Sequence, residues 1–319
     1  MRVALRSATV FCLGAGPPAS VPVRAAPEYL DSAWLVHGET RHHCLVRKLG
    51  AAGATLQLLA PVAAGDRFAL HIDSGPLLEG AIGWADAGEA GFLFDQRIDI
   101  VGALARNLAG LPADRRSVPR VELDQTVSVR RDARVQFARA RDLSQAGVGL
   151  QLGFELFEDE AVEVAFDGLR PVPGRVRWVR QGHAGIAFDT ELGWQVLMPW
   201  LRQIQDRPSR IDVARPADMQ DLEPGFGLNT DKMALHLNAA GTARQGTRWW
   251  NIRVRSLNAL MVEFETDAPM AVATPLWILL GGTTGWPATV TEARGSRYLA
   301  EFRVPLRQHE LDRIAARSL

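Results

Sequence analysis

The chain has 319 residues, 47% of them hydrophobic, so it is long enough to form two or three globular domains. Lysine plus arginine and aspartate plus glutamate number 36 each, and the formal net charge of zero excludes an overall field that would attract nucleic acid or an anionic membrane. We therefore expect no nucleic-acid partner and no membrane association, so any anion site must be local. The two cysteines cannot form a disulfide framework, which is consistent with a cytoplasmic protein.

The first residues combine a basic start with a short apolar run. Arg6 interrupts that run, so we predict that residues 1–24 form a disordered tail and not a secretion signal. A strongly apolar later segment, residues 271–282, is shorter than the roughly 18 apolar residues that span a bilayer. That segment also contains Pro275. The sequence therefore predicts no transmembrane helix.

An internal repeat organises the rest of the chain. Residues 46–58, VRKLGAAGATLQL, align with residues 140–152, ARDLSQAGVGLQL, at a shift of 94 positions that continues without a gap. A fainter third copy begins at residue 254 with VRSLNALMVEF, a shift of 114 positions from residue 140. Apolar residues alternate within each copy, which predicts strands, and each copy closes with apolar residues at helical spacing. We predict a mainly β fold of three tandem units, each a small barrel or sandwich that ends in a helix.

The repeat boundaries divide the chain into five predicted segments. They are a tail at 1–24, a first domain at 25–110, a second at 111–208, a linker at 209–226 and a third domain at 227–319. The linker is long and Pro-rich, so we expect the third domain to move independently of the other two.

A group of polar residues distinguishes the second copy from the others. Three arginines lie in the lead-in to its first strand, and three further residues form a turn at a strand end about twenty residues later: Arg115, Arg116, Arg120, Asp142, Ser144 and Gly147. Aspartate and serine favour a turn, and glycine permits backbone conformations that other residues resist. The neighbouring Arg141 is interpreted as a solvated surface charge. The pattern predicts a polar site at this strand end.

The order and spacing of these residues resemble a known family. RRSVPR at 115–120 followed by DLSQAG at 142–147 is similar to the paired RxxxR and DxSxxG signature of PilZ domains, and the GRVRW and GIAF strands that follow also resemble it. The resemblance implies a six-stranded antiparallel β-barrel with a helix for each of the three copies. It also implies that the second copy binds cyclic di-GMP.

Cyclic di-GMP has two phosphates and two guanines, and the candidate residues have matching chemistry. The forked guanidinium groups of Arg116 and Arg120 can bind phosphate oxygens and stack on a purine. Asp142 and Ser144 can hydrogen-bond to a guanine edge, and Gly147 permits close approach. The resemblance further implies that Arg115, just before the first motif arginine, is associated with an intercalated ligand dimer, so we predict two ligands per protein.

The first and third copies depart from this pattern at the motif positions. The residues that align with Asp142, Ser144 and Gly147 are Lys48, Gly50 and Gly53 in the first copy and Ser256, Asn258 and Met261 in the third. The two arginine positions hold Pro22 and Ala26 in the first copy, and Thr230 and Ala234 in the third. We interpret the outer copies as degenerate PilZ-like domains with a structural or partner-binding role.

Other chemistry has little support in the sequence. His42, His43 and Cys44 are adjacent, so their side chains alternate between the two faces of a strand, and we predict no metal site and no cofactor. Ser144 lies outside any nucleophile elbow, so we predict no catalysis.

Two hypotheses of function remain. The first is a receptor that converts cyclic di-GMP binding at the middle domain into an interdomain rearrangement, and so regulates motility, exopolysaccharide or surface attachment through an unidentified protein partner. The alternative is a PilZ-like protein interaction scaffold that does not bind nucleotide.

Overall fold

The structure, a computed structural model, describes residues 9–14, 30–72, 75–110, 119–132, 134–205, 228, 234–280 and 285–318. Within these ranges the chain is mainly β, as predicted. Apart from one short N-terminal strand, β1 (Val10–Cys12), the strands fall into three groups of six, each followed by a helix.

The bounds of these elements follow the predicted repeat. The first group comprises β2 (Asp31–His37), β3 (Thr40–Gly50), β4 (Gly53–Leu58), β5 (Arg67–Ile72), β6 (Leu77–Asp86), β7 (Glu89–Phe94) and α1 (Ile100–Gly110). The second comprises β8 (Arg120–Arg131), β9 (Arg134–Ser144), β10 (Gly147–Leu152), β11 (Ala161–Phe166), β12 (Val172–Arg180), β13 (His183–Phe188) and α2 (Trp194–Gln205). The third comprises β14 (Leu235–Gln245), β15 (Arg248–Leu257), β16 (Met261–Glu265), β17 (Pro275–Leu280), β18 (Trp286–Arg294), β19 (Arg297–Phe302) and α3 (Gln308–Ser318).

The strand pairing follows one order in all three groups. The first strand pairs with the second, the second with the third, and the third with the sixth; the sixth then pairs with the fifth, the fifth with the fourth, and the fourth with the first. The third group is a closed barrel by itself, whereas the first two belong to one larger sheet. The prediction of six-stranded antiparallel barrels, each followed by a helix, is confirmed.

Bulges in the strands recur at aligned positions. The register of the fifth strand against the sixth shifts between Ile82 and Trp84 in the first group, and at the same repeat position in the second and third. A bulge adds one residue to a strand and sharpens its bend, which helps a small sheet to close. The repeat seen in the sequence is therefore also present in the backbone hydrogen bonding.

The interior of each barrel is formed by the alternating apolar residues. In the first group Leu35, Val46 and Leu70 are fully buried, and in the third group Ile252 and Val254 are. Successive side chains on a strand point to opposite faces, so this alternation places one apolar set inside and a mixed polar set outside. Among the described residues no helix combines the length and apolar character that a bilayer span requires.

The chain forms two compact units. The first contains residues 1–123, 142–145 and 192–206, and the second contains residues 124–141, 146–191 and 207–319. These units were not evident from the repeat, and the predicted domain boundaries stay a prediction.

Part of the predicted disordered tail is a strand. β1 pairs in parallel with β3 and with the start of β8, all within the first unit. Phe11 is 1% exposed and Cys12 is also buried, so burial of this short apolar run offsets the entropy of ordering it. The prediction of disorder is thus wrong for β1.

Candidate functional site

The candidate residues lie at the ends of three consecutive strands of the second group. Arg120 begins β8, Asp142 and Ser144 lie at the end of β9, and Gly147 begins β10. Arg115 and Arg116 lie outside the described residues. Strand pairing accounts for the placement, because β8 and β9 are neighbours in the sheet.

Arg120 and Asp142 form an ion pair. Nη1 of the guanidinium donates to Oδ1 of the carboxylate, although the two residues are 22 positions apart in the sequence. The side chains are 45% and 29% exposed, so both groups are accessible to a ligand. An exposed pair of this kind contributes little to stability. The pair does, however, place a cation beside an acceptor of N–H donors, as the sequence predicts for a nucleotide site.

Ser144 and the turn that follows it are held from within. Ser144 is buried, with only 6% of its surface exposed. Gln145, which is not one of the predicted site residues, donates from Nε2 to the Leu192 carbonyl at 3.0 Å, and Leu192 N–H donates to the Gln145 carbonyl at 2.8 Å. These bonds fix the turn against the segment that leads into α2.

Gly147 is required by backbone packing. A Cβ atom at this position would collide with the carbonyl oxygen of Ile186 on the paired strand β13. In the first group, a Cβ atom at Gly53 would collide with the Phe92 carbonyl oxygen in the same way. The close approach predicted for Gly147 is therefore an approach of two strands, and a direct role in ligand binding stays a prediction.

A second ion pair lies two residues along β8 from Arg120. Glu122 accepts from Lys48 Nζ on β3 at 2.6 Å, and it accepts from Cys12 Sγ on β1 at 3.2 Å, all within the first unit. Burial, together with the negative charge of Glu122, raises the pKa of the Cys12 thiol. The repeat alignment places Lys48 at the position of Asp142, but it could not show that Lys48 binds the strand on which Arg120 lies.

Arg141 takes part in a separate polar cluster in the second unit. Its Nη1 donates to Asp124 Oδ1 at 2.7 Å, and Arg139 Nη2 donates to the other oxygen of Asp124 at 2.8 Å. Arg141 Nε also donates to Gln151 Oε1 at 3.0 Å. The sequence predicted only a solvated surface charge at Arg141. Its partner Asp124 is 17 positions away, so no short-range sequence pattern indicated this cluster.

No group of three or more histidine, cysteine, aspartate or glutamate side chains suited to a metal ion occurs in the described ranges. The side chains of Arg120 and Asp142 give the site a guanidinium and a carboxylate. These groups can bind an anion and the N–H edge of a base.

The PilZ domain family model matches residues 114–195, which contain all six candidate site residues. The resemblance predicted for the second copy is thereby confirmed. Membership of the first and third copies in this family stays a prediction. No curated protein matches the chain.

Solved structures similar to the chain include the Bacillus subtilis inhibitor of motility MotI/DgrA, at 11% identity and a TM-score of 0.24, with 56% of this chain and 98% of that chain covered. Borreliella burgdorferi PlzA in complex with c-di-GMP is 8% identical, with a TM-score of 0.20 and 68% and 100% of the two chains covered. Escherichia coli YcgR in complex with c-di-GMP is 12% identical, with a TM-score of 0.20 and 56% and 83% covered. These TM-scores are too low to support a conclusion about fold or ligand.

Proposed function

We propose that this protein is a cyclic di-GMP receptor whose ligand is bound by the second group of strands. The observation that carries the proposal is the contact between Arg120 and Asp142 within the residues that the PilZ domain model matches. The paired motif thus has one residue from each half in contact in the described structure. We assign Arg115 and Arg116, which precede the described part of β8, to the same site on the strength of the sequence motif.

A bound ligand can replace each member of the Arg120–Asp142 ion pair as the partner of the other. A ligand phosphate can take bidentate hydrogen bonds from the Arg120 guanidinium, while the guanine N–H groups donate to Asp142. Each charged group then loses one protein partner and gains one ligand partner. Since the ion pair is exposed and weak, breaking it costs little of the binding free energy.

The position of Arg120 suggests how binding could be transmitted to the first group of strands. Arg120 and Glu122 lie on the same face of β8 because side chains alternate along a strand. Glu122 is bonded to Lys48 on β3, and residues 120–122 of β8 pair with β1. We propose that a ligand that repositions Arg120 displaces these contacts and so changes the packing of the first domain, which makes binding free energy a conformational signal.

Titration calorimetry with cyclic di-GMP tests the proposal. We expect Arg120→Ala and Asp142→Ala each to abolish binding at the motif site. Arg67→Ala and Asp95→Ala are the matched controls, because they remove an exposed Arg–Asp ion pair of the first group without touching the motif. If wild type gives no binding heat, the receptor function is wrong; if the motif variants bind as wild type does, the assignment of the ligand to the motif site is wrong. Absence of binding heat would favour the alternative hypothesis, in which the protein is an interaction scaffold that does not bind nucleotide.

The output that we propose is control of motility, exopolysaccharide or surface attachment through a protein partner. This assignment is based on kinship with the PilZ domain family over residues 114–195 and not on a partner site in the chain.

A further inference from the structure

A cleft in the second unit shares no residue with the site described above. Its volume is about 660 Å³, within the range of roughly 300–1,000 Å³ typical of small-molecule sites. One wall consists of residues of β8, β9, β11 and the β11–β12 turn, and the other consists of residues of β14, β15, β17 and the β14–β15 turn. The residues that give it chemical character are Arg170, Arg244, Thr247 and Trp249.

Hydrogen bonds join the two walls. Ser128 N–H, on one wall, donates to Asn251 Oδ1 at 3.1 Å, and Gly168 N–H donates to the carbonyl oxygen of Trp249, on the other wall, at 2.6 Å. The cleft is therefore formed before any ligand arrives. A preformed site avoids the entropic cost of ordering its walls on binding.

Arg244 is held between two indole rings. Its guanidinium carbon lies 5.9 Å from the ring centroid of Trp249 and 5.8 Å from that of Trp277, and both tryptophans are its direct cross-strand partners. The attraction between a guanidinium and an indole ring positions the cation without a carboxylate partner. No ion pair joins Arg244 to a carboxylate among the described residues. The donors of a positioned guanidinium therefore remain available to an anion.

Arg170 adds a second positive charge to the same cleft. It is exposed, and it likewise forms no ion pair with a carboxylate in the part of the chain that the structure describes. The third arginine of the cleft, Arg130, is neutralised by Glu163 at 2.9 Å. Within the described residues, the cleft thus carries two guanidinium groups without a carboxylate partner beside a flat aromatic surface, the combination that binds phosphate and stacks on a base.

We propose that this cleft binds a nucleotide. Arg170 and Arg244 bind the phosphate, Thr247 is a hydroxyl partner for phosphate or ribose, and the planar base lies against the apolar wall that includes Trp249 and Leu279. This site is separate from the motif site at Arg120 and Asp142. A mononucleotide and a cyclic dinucleotide share the chemistry that the cleft recognises, so the experiment below distinguishes them.

The test uses the full chain carrying Arg120→Ala and Asp142→Ala, which removes the motif site from the measurement. Calorimetric titrations with GMP, with cyclic di-GMP and with inorganic phosphate are compared. We expect at least one of the two nucleotides to bind more tightly than inorganic phosphate, and Arg170→Ala and Arg244→Ala each to weaken that binding roughly 10-fold or more. The control is Arg303→Ala, an exposed arginine of the third group that does not line the cleft.

Arg244→Lys keeps the charge but loses the planar fork, so we expect it to bind no better than Arg244→Ala. Thermal unfolding of each variant verifies that it is folded. The proposal is overturned if neither nucleotide binds at millimolar concentration, if phosphate binds as tightly as both nucleotides, or if the cleft variants bind as Arg303→Ala does. Because the background lacks the motif residues, these outcomes do not depend on whether the wild-type chain binds cyclic di-GMP there.

Discussion

Asn251 and Asp167, 84 residues apart in the sequence, are joined by two hydrogen bonds to one oxygen. The backbone N–H of Asn251 donates to Asp167 Oδ1 at 2.6 Å, and its side-chain Nδ2 donates to the same atom at 2.8 Å. Burial of the Asp167 carboxyl, with Asp267 nearby, raises its pKa to about 7 in spite of these bonds. The junction between the second and third groups of strands therefore contains a carboxyl that titrates near neutral pH.

We expect Asp167→Asn to stabilise the protein above pH 7. The pKa of Asp167 is higher in the folded than in the unfolded state, so the folded protein holds this proton more tightly. Proton binding to Asp167 therefore stabilises the folded state. This stabilisation is complete below the unfolded-state pKa of the carboxyl and is lost as the pH rises through about 7. Asparagine mimics the protonated carboxyl, so the variant should exceed wild type by roughly 1–3 kcal/mol at pH 8 and match it near pH 4.

Urea unfolding of both proteins between pH 4 and pH 8 measures this difference. The control is Asp189→Asn, which makes the same substitution at an exposed carboxyl of the second unit. A stability difference for Asp167→Asn that is constant over the pH range would contradict the prediction.

We expect Asn251→Ala to destabilise the second unit by about 2–4 kcal/mol. The amide of Asn251 accepts from Ser128 N–H at 3.1 Å and donates to the Ala165 carbonyl at 3.1 Å, in addition to Asp167. Truncation leaves buried polar groups without these partners, which costs more than the bonds themselves contribute. Denaturant unfolding measures the loss, with Thr242→Ala, directly opposite Asn251 on β14, as the control. Equal midpoints for the two variants would show that the junction is not stabilised by Asn251.

We expect Gly147→Ala to lower the free energy of unfolding by about 1–3 kcal/mol, because the added methyl group meets the Ile186 carbonyl and forces β10 away from β13. Gly153→Ala is the matched control, since nothing lies near a Cβ atom at that position. Thermal unfolding in the absence of ligand separates this packing effect from any effect on binding. If the Gly147→Ala and Gly153→Ala proteins are equally stable, the packing explanation is wrong and the role of Gly147 is in ligand binding alone.

We expect Lys48→Met to bind cyclic di-GMP within about 3-fold of wild type but to lose most of the ligand-induced change in small-angle scattering. The substitution keeps the apolar stem of this nearly buried side chain and removes its 2.6 Å ion pair with Glu122. We propose that the Lys48–Glu122 pair transmits the signal, whereas ligand binding itself does not require this pair. Arg67→Met, which removes the exposed ion pair with Asp95, should scatter as wild type does. An unchanged ligand response in Lys48→Met would refute the proposed route.

We expect calorimetry to give two cyclic di-GMP molecules at the motif site of the wild-type chain and one at that site in the Arg115→Ala chain. The PilZ resemblance associates an arginine at position 115 with an intercalated ligand dimer, and the second ligand depends on guanidinium stacking that alanine cannot supply. Analytical ultracentrifugation of the complex excludes a change in protein association as the cause. If wild type binds one ligand per chain, the predicted ligand dimer is wrong, but the receptor function is unaffected.

The sequence by itself determined the repeat, the strand type of its elements and the candidate motif. Alternation of apolar residues is a local property, because side chains on a strand point to alternate faces regardless of what the strand pairs with. A shift of 94 positions therefore located β9 from β3, and the signature residues Asp142 and Gly147 could be identified from their spacing.

Only the tertiary structure decided which distant side chains meet. The repeat aligns Asn251 with Phe137 and His43, so nothing in the alignment indicated a buried amide that bonds to Asp167. In the same way, the contacts of Glu122 with Lys48 and of Arg244 with two indole rings depend on the register between strands and on which outer faces pack together. Contacts across strands depend on which residues the neighbouring elements place opposite, so the sequence of a single strand does not determine them.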